Sequence, residues 1–383
     1  MFPVMIFYAL TYIIQGMLQS SGKFNMSAFV SVPSSVILIL YVIFLGDKYG
    51  VKGLLIATVI GLSAQALILI PPLYSTGYRY RFSFQVRDSD IKTAFKLIPP
   101  VLIATSAYQI NMFFNTTVSA NFKDAVALII MVQNLILYAI LALINSITSV
   151  IFPRLTVLAA SKDINEFKKV LLNVLKTITF FLIPATAGFI AIRYELIDLL
   201  YGWGRFTGDN VVFSSKLLAL YAIGILGVGI KEVVDKAFYS LKDTKTPAIT
   251  GVLVVVINIT ASLILVGSIG VLGIPTAYSI SALCGGIINL ILIKKKLINV
   301  DLKELGSFII KVSISSIIMF LVLIPILNSG NLYNIEYELI NKGLKLFIPI
   351  LAGCITYYLC TYLLKVETTI ELSNKIKSRF RRY

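Results

Sequence analysis

Histidine is absent from this 383-residue chain, which closes His-dependent triads, imidazole proton relays and most zinc sites to it. Charge is scarce too: only 14% of residues are Asp, Glu, Lys or Arg, against roughly 25% in soluble domains. What charge there is leans one way, with 18 acidic residues facing 34 Lys and Arg. Cys284, Cys354 and Cys360 fall inside apolar runs at no metal-like or disulfide-like spacing, so they read as small buried hydrophobes. The opening MFPVMIFYALTYII has neither a basic leader nor a small-residue cleavage site, so no secretory signal is read there.

What is abundant is hydrocarbon. The chain is 58% hydrophobic with a mean hydropathy of +0.90, and its apolar runs are bilayer-length. This predicts an all-α, polytopic transmembrane helix bundle. Breaking the runs at polar and Gly/Pro turns gives about eleven spans, near residues 3–21, 27–45, 52–74, 94–118, 125–151, 171–192, 214–239, 248–267, 271–293, 306–327 and 344–364. In such a chain a net charge of +16 speaks of topology and anionic lipid rather than nucleic acid. Arg79, Arg81, Arg87, Lys162, Lys168, Lys169, Lys242, Lys245, Lys294 to Lys296 and the tail KIKSRFRRY fall in alternate loops, which marks that side, and the carboxyl terminus, as cytoplasmic. An odd number of spans then starts the chain outside, as if spans upstream were missing.

Charges inside the spans need a reason. Lys231 and Asp235 are four apart on one helical face, and Glu232 and Lys236 on the neighbouring one. Such pairs neutralise each other, either as lining of a cytoplasm-open cavity or as internal ties of the bundle. Lys231 is about 16 Å along a helix from Lys242, out of easy reach of the headgroups. Outside the spans, Thr76 to Asp90 reads as a surface linker or a gate. Glu195 to Asn210, with the chain's one tryptophan, Trp203, reads as an interfacial anchor. The basic tail suits anionic lipid.

Phe238-Tyr239-Ser240 followed by Lys242-Asp243-Thr244-Lys245-Thr246-Pro247 resembles the FYA/S-x-x-D-x-K-T-P signature of the MurJ/MviN family of lipid II flippases, within the multidrug, oligosaccharidyl-lipid and polysaccharide exporter group. Three further segments are similar to family motifs in the right order. They are Ser106 to Asn111 with Asn115, Val150 to Leu155, and Leu200-Tyr201-x-x-Gly204-x-Phe206-Thr207-x-x-Asn210.

The resemblance implies the exporter-type two-lobe architecture with an incomplete amino-terminal lobe plus two accessory C-terminal helices, the first three family spans lacking. Residues 1–75 would be the second half of the amino-terminal lobe, 76–91 a cytoplasmic inter-lobe loop, 92–297 the carboxyl-terminal six-helix lobe, 298–365 an accessory two-helix groove and 366–383 a basic cytoplasmic tail. The implied role is to translocate undecaprenyl-pyrophosphate-linked peptidoglycan precursor across a bacterial inner membrane by alternating access, with lipid II and membrane lipids as partners and no catalysis, cofactor or metal. Substrate-cavity candidates are Gln109, Asn115, Gln133, Asn134, Lys231, Glu232, Asp235 and Lys236. Gln133-Asn134 stands where the family has Asp-Arg, which removes a phosphate-binding charge. Some relatives bind sodium, but here Asn115, Asn258 and Ser262 hold the corresponding places without a carboxylate, and the coupling ion stays open. The alternatives are another polysaccharide-lipid flippase or drug exporter of the same superfamily, a membrane enzyme acting on polyprenyl phosphates, and an inactive fragment or paralogue. A chain with an incomplete amino-terminal lobe is expected not to translocate by itself.

Overall fold

A computed structural model describes residues 2–21, 29–79, 106, 109–122, 125–204, 206, 208–297, 302–329 and 337–380. The described residues contain helices and turns but no strand, as hydrocarbon requires of a chain that must satisfy its backbone within each segment. Seven helical stretches among them are long and apolar enough to cross a membrane, accompanied by three shorter apolar helices, Val4–Leu18, Val32–Phe44 and Val150–Ala160. The expected span 94–118 falls mainly outside the described residues.

The chain divides into two compact units, Met1–Lys92 and Thr93–Tyr383. In the first, α1 (Phe2–Ser20), α2 (Val32–Phe44), α3 (Gly46–Ile68) and the short α4 (Ile70–Tyr74) follow one another. Small residues let α2 and α3 meet closely, since a Cβ on Gly61 would lie 3.1 Å from Ser34 Cα. Beside that contact Gln65 Nε2 donates to Ser34 Oγ at 2.5 Å. Gly50, with φ at 52°, kinks the start of α3, and its carbonyl accepts from Tyr41 Oη at 2.7 Å.

In the second unit, helical residues 109–119 (α5) lead to α6 (Ala125–Ala160), α7 (Ile164–Ala191), α8 (Arg193–Tyr201), α9 (Gly208–Ile223), α10 (Ile225–Ser240), α11 (Lys245–Ile269), α12 (Gly273–Lys296), α13 (Leu302–Asn328), α14 (Glu338–Leu363) and α15 (Glu367–Phe380). The expected single span 214–239 is interrupted at Gly224, between α9 and α10. Carbonyls next to that break find side-chain donors: Ser279 Oγ gives to Leu220 O at 2.5 Å and Thr186 Oγ1 to Ala222 O at 3.2 Å. A break in hydrocarbon is tolerated only where such donors stand by.

Helices α10 and α12 run parallel, with partners separated by 54 to 59 residues along their contact. Their backbones nearly touch: a Cβ on Gly227 would lie 2.3 Å from the Ala282 carbonyl carbon, and one on Gly286 would lie 3.0 Å from Gly227 O. Lipid offers no hydrophobic drive between helices, so contact this close gains its stability from packing. Around it, Phe167, Leu175, Ile178, Leu217, Tyr221, Val234 and Phe238 form the core.

The late helices attach through α7. The Tyr357 hydroxyl of α14 donates to Phe180 O at 2.7 Å, and their rings lie 5.3 Å apart. Lys176, 5% exposed, binds Glu304 of α13 at 2.6 Å and Glu367 of α15 at 2.7 Å. One buried ammonium therefore joins three helices.

The close approach yields a pair of opposite-signed expectations. Gly227→Ala should overpack the α10–α12 seam and cost about 1–3 kcal/mol. Gly267→Ala, where nothing lies within 4 Å of the new methyl, should stabilise by about 0.5–1 kcal/mol. Thermal melts of the detergent-purified chain read both; equal shifts in the same direction would refute the packing account.

Candidate functional site

The seam between α10 and α12 also holds the charged cluster. Lys231 Nζ meets Asp235 Oδ2 at 2.5 Å, one helical turn on. The other carboxylate oxygen of Asp235 accepts from Asn289 Nδ2 of α12 at 2.7 Å, and Asn289 is wholly buried. Gly285 makes room for the lysine, whose Cδ would stand 3.5 Å from a Cβ there. Each acceptor oxygen of Asp235 thus has a donor, the condition under which a buried carboxylate is retained in hydrocarbon. Lys231 keeps a side-chain exposure of 20%.

The companion pair does not form. Glu232 and Lys236 make no ion pair within 4 Å, and Lys236 Nζ instead lies 5.9 Å from the centre of the Phe152 ring on α6. The helical spacing that permits a pair does not oblige it, and here the ammonium lies over an aromatic face of another helix.

Amides proposed for the cavity pack against one another. Asn115 and Gln133 are both buried and line a pocket of about 10 Å³ between α5 and α6, room for at most one water. Gln133 Nε2 points at Met112 Sδ, 3.6 Å away. Asn134 is half-buried on α6, and Gln109 is exposed. Asn258 Nδ2 contacts Ser281 Oγ at 3.4 Å, while Asn258 Oδ1 and Ser262 Oγ are buried without partners among the described residues. Among the described residues no three His, Cys, Asp or Glu gather as a metal site.

The turn after α10 is a joint between three helices. Lys242 adopts a left-handed φ of 59°, and Asp243 N returns to Phe238 O at 2.9 Å, closing the helix end. The Asp243 carboxylate then caps α11, accepting from Thr246 N at 3.0 Å and Thr246 Oγ1 at 2.8 Å. It also receives Lys296 Nζ from the last turn of α12. That ammonium lies 5.8 Å from the Phe238 ring. Pro247 is buried in the first turn of α11, where proline is preformed for helix. Tyr239 and Lys245 are exposed.

Beside this body an apolar pocket of about 400 Å³ opens between α7, α10 and α13, lined by Ile183, Ala187, Ile190, Leu226, Ile317 and Phe320 among others.

The sequence profile of the family described as lipid II flippase MurJ matches residues 1–340. A probable lipid II flippase MurJ from Rickettsia prowazekii is 23% identical over 281 residues, covering 73% of this chain and 55% of that protein. One from Buchnera aphidicola is 23% identical over 364 residues, covering 93% of this chain and 70% of the relative. One from Vibrio cholerae is 28% identical over 284 residues, covering 73% and 54%. The chain thus spans about half to two-thirds of the length of these curated relatives. Among solved structures, a lipid II flippase MurJ in an inward closed conformation superposes with a TM-score of 0.76 at 23% identity, over 94% of this chain and 72% of the other. An inward-facing multidrug resistance MATE family transporter superposes with a TM-score of 0.63 at 16% identity, over 76% of this chain and 68% of the other.

Partial burial opposes ionisation of Asp243, but Lys296 and the two Thr246 donors outweigh it and hold the carboxyl down at about 2. A carboxyl lowered from its ordinary value near 3.9 contributes stability above that value and loses it as pH falls through its folded pKa. Asp243→Asn should therefore lower the melting temperature at pH 7 and flatten its dependence on pH between about 4 and 2. An unchanged pH profile would show that the joint does not rest on this carboxylate.

Proposed function

This chain belongs to the lipid II flippase MurJ family, and we propose that it acts on lipid II, carrying the pyrophosphate-linked disaccharide-pentapeptide from the cytoplasmic to the outer leaflet of a bacterial inner membrane. The family match along residues 1–340 is the observation that carries this reading. It is a transporter's task rather than an enzyme's: no bond is made or broken, and the barrier is the transfer of charge and hydroxyls through hydrocarbon. The carboxyl terminus lies in the cytoplasm on this reading, with the lysines of the 242–245 turn on the same side.

Two features supply what such a cargo needs. The neutralised Lys231–Asp235 pair keeps a partly exposed ammonium inside a span, where an anionic headgroup competes with Asp235 for its protons. The apolar pocket beside α13 offers a seat to a polyprenyl chain while the headgroup moves. Transport by alternating access would then rock helix groups about a fixed site. The joint that ties α10, α11 and α12 together makes these three helices move as one piece.

Native mass spectrometry of the purified chain with lipid II, undecaprenyl phosphate and phosphatidylglycerol tests the reading. Lipid II is expected to be retained in preference to both. Ala187→Trp, which fills the apolar seat, should weaken that retention about tenfold, or ~1.4 kcal/mol. Equal retention of lipid II and phosphatidylglycerol by the unsubstituted chain would overturn the assignment.

A further inference from the structure

Away from the charged seam, the start of α14 meets α8 in a second polar cluster, centred on Lys342. Lys342 Nζ contacts Asp198 Oδ1 at 3.2 Å and Glu338 Oε1 at 3.1 Å. It also donates to Gly202 O at 2.8 Å, and the Trp203 ring centre lies 4.2 Å from it. All three ammonium protons therefore have acceptors.

Next to this saturated lysine lies a polar pocket of about 490 Å³, lined by Glu195, Asp198, Asn328, Asn341, Lys342 and Lys345 among others. That is space for many waters at about 30 Å³ each. Three of its groups are unspent. Glu195 Oε2 and Asn341 Oδ1 are buried and have no hydrogen-bond partner among the described residues. Lys345 makes no ion pair within 4 Å among the described residues, the close pairs being those of Lys342, and it acts on Glu195 only at longer range. Both orphaned atoms are acceptors, so the missing partner is a donor; the unspent lysine calls for an anion beside it. Burial raises the Glu195 carboxyl above its ordinary range, against the pull of its own backbone N–H, Arg193 and Lys345. A cation there would replace lost solvation.

The pocket's surroundings suit a membrane surface. Leu327 and Asn328 close α13 and Glu338 to Lys345 open α14, and both helices are span-length and apolar. Tyr194, Leu200 and Trp203 are exposed nearby on and after α8, where aromatic side chains settle among headgroups.

We propose that this pocket binds the headgroup of a phospholipid bearing a primary ammonium next to its phosphate, as in phosphatidylethanolamine. The ammonium donates to Glu195 Oε2 and Asn341 Oδ1, and the phosphate takes Lys345. A quaternary ammonium has no proton to donate, and a glycerol headgroup brings no charge for Glu195. The site therefore discriminates by hydrogen-bond chemistry rather than by size alone. It is independent of the α10–α12 seam and of any cargo carried there.

Lipid retention measured by native mass spectrometry, on the full chain taken from nanodiscs of defined composition, tests the assignment. Phosphatidylethanolamine is expected to be retained at least about tenfold over phosphatidylcholine and phosphatidylglycerol, as losing hydrogen bonds to charged groups implies. Glu195→Gln and Asn341→Leu should each erode that preference, and Lys345→Met should weaken all three lipids alike. Retention of phosphatidylcholine equal to phosphatidylethanolamine would overturn the proposal, a result that needs no variant to fold. An unchanged preference in Glu195→Gln would do the same. Displacement by free phosphoethanolamine at matching concentration would overturn the assignment to a lipid.

Discussion

Helices α10 and α12 touch at Gly227 and Gly286, and the charged architecture of the second unit depends on that contact. Because the two helices run parallel, closing them at one level sets the register at every other. Asn289 comes level with Asp235, Gly285 with the stem of Lys231, and Lys296 with Asp243. Separate the seam by a methyl group and the amide no longer reaches the carboxylate, leaving a buried charge short of a donor. In hydrocarbon that shortage is expensive, so packing and electrostatics here are one constraint.

Most of the bundle was legible from the sequence because the bilayer imposes its length on every span, and runs such as 248–267 and 306–327 have few polar interruptions. The Lys231–Asp235 pair was legible for the same local reason, four residues being one turn. The interruption at Gly224 was not, since what permits it lies on α7 and α12, in Thr186 and Ser279. Nor was the position of Lys236, whose ammonium lies over Phe152 on another helix. Trp203 looked like an interfacial anchor; it is exposed, but its ring also lies against Lys342, far along the chain.

The turn around Asp243 shows what this short motif builds physically. The turn's Asp, Thr and Pro cap and start α11, while the Phe packs under the lysine that clamps them. All of these side chains are engaged within the joint. The candidate amides Asn115 and Gln133 are likewise engaged in packing. Of the expected polar residues, Lys231 keeps some exposure inside a span.

Lys176 carries a different kind of consequence, in time rather than in space. Its two carboxylates follow 128 and 191 residues later in the chain. At a synthesis rate of about 5–20 residues per second, Glu367 emerges on the order of 10–40 s after Lys176 has been made. Until then the nascent chain holds the α7 ammonium without its full set of final counter-charges, Glu304 coming first and Glu367 last. The three-helix tie at Lys176 therefore cannot close until α13 and α15 have been made, so a contact that fixes an early helix is completed only by much later ones.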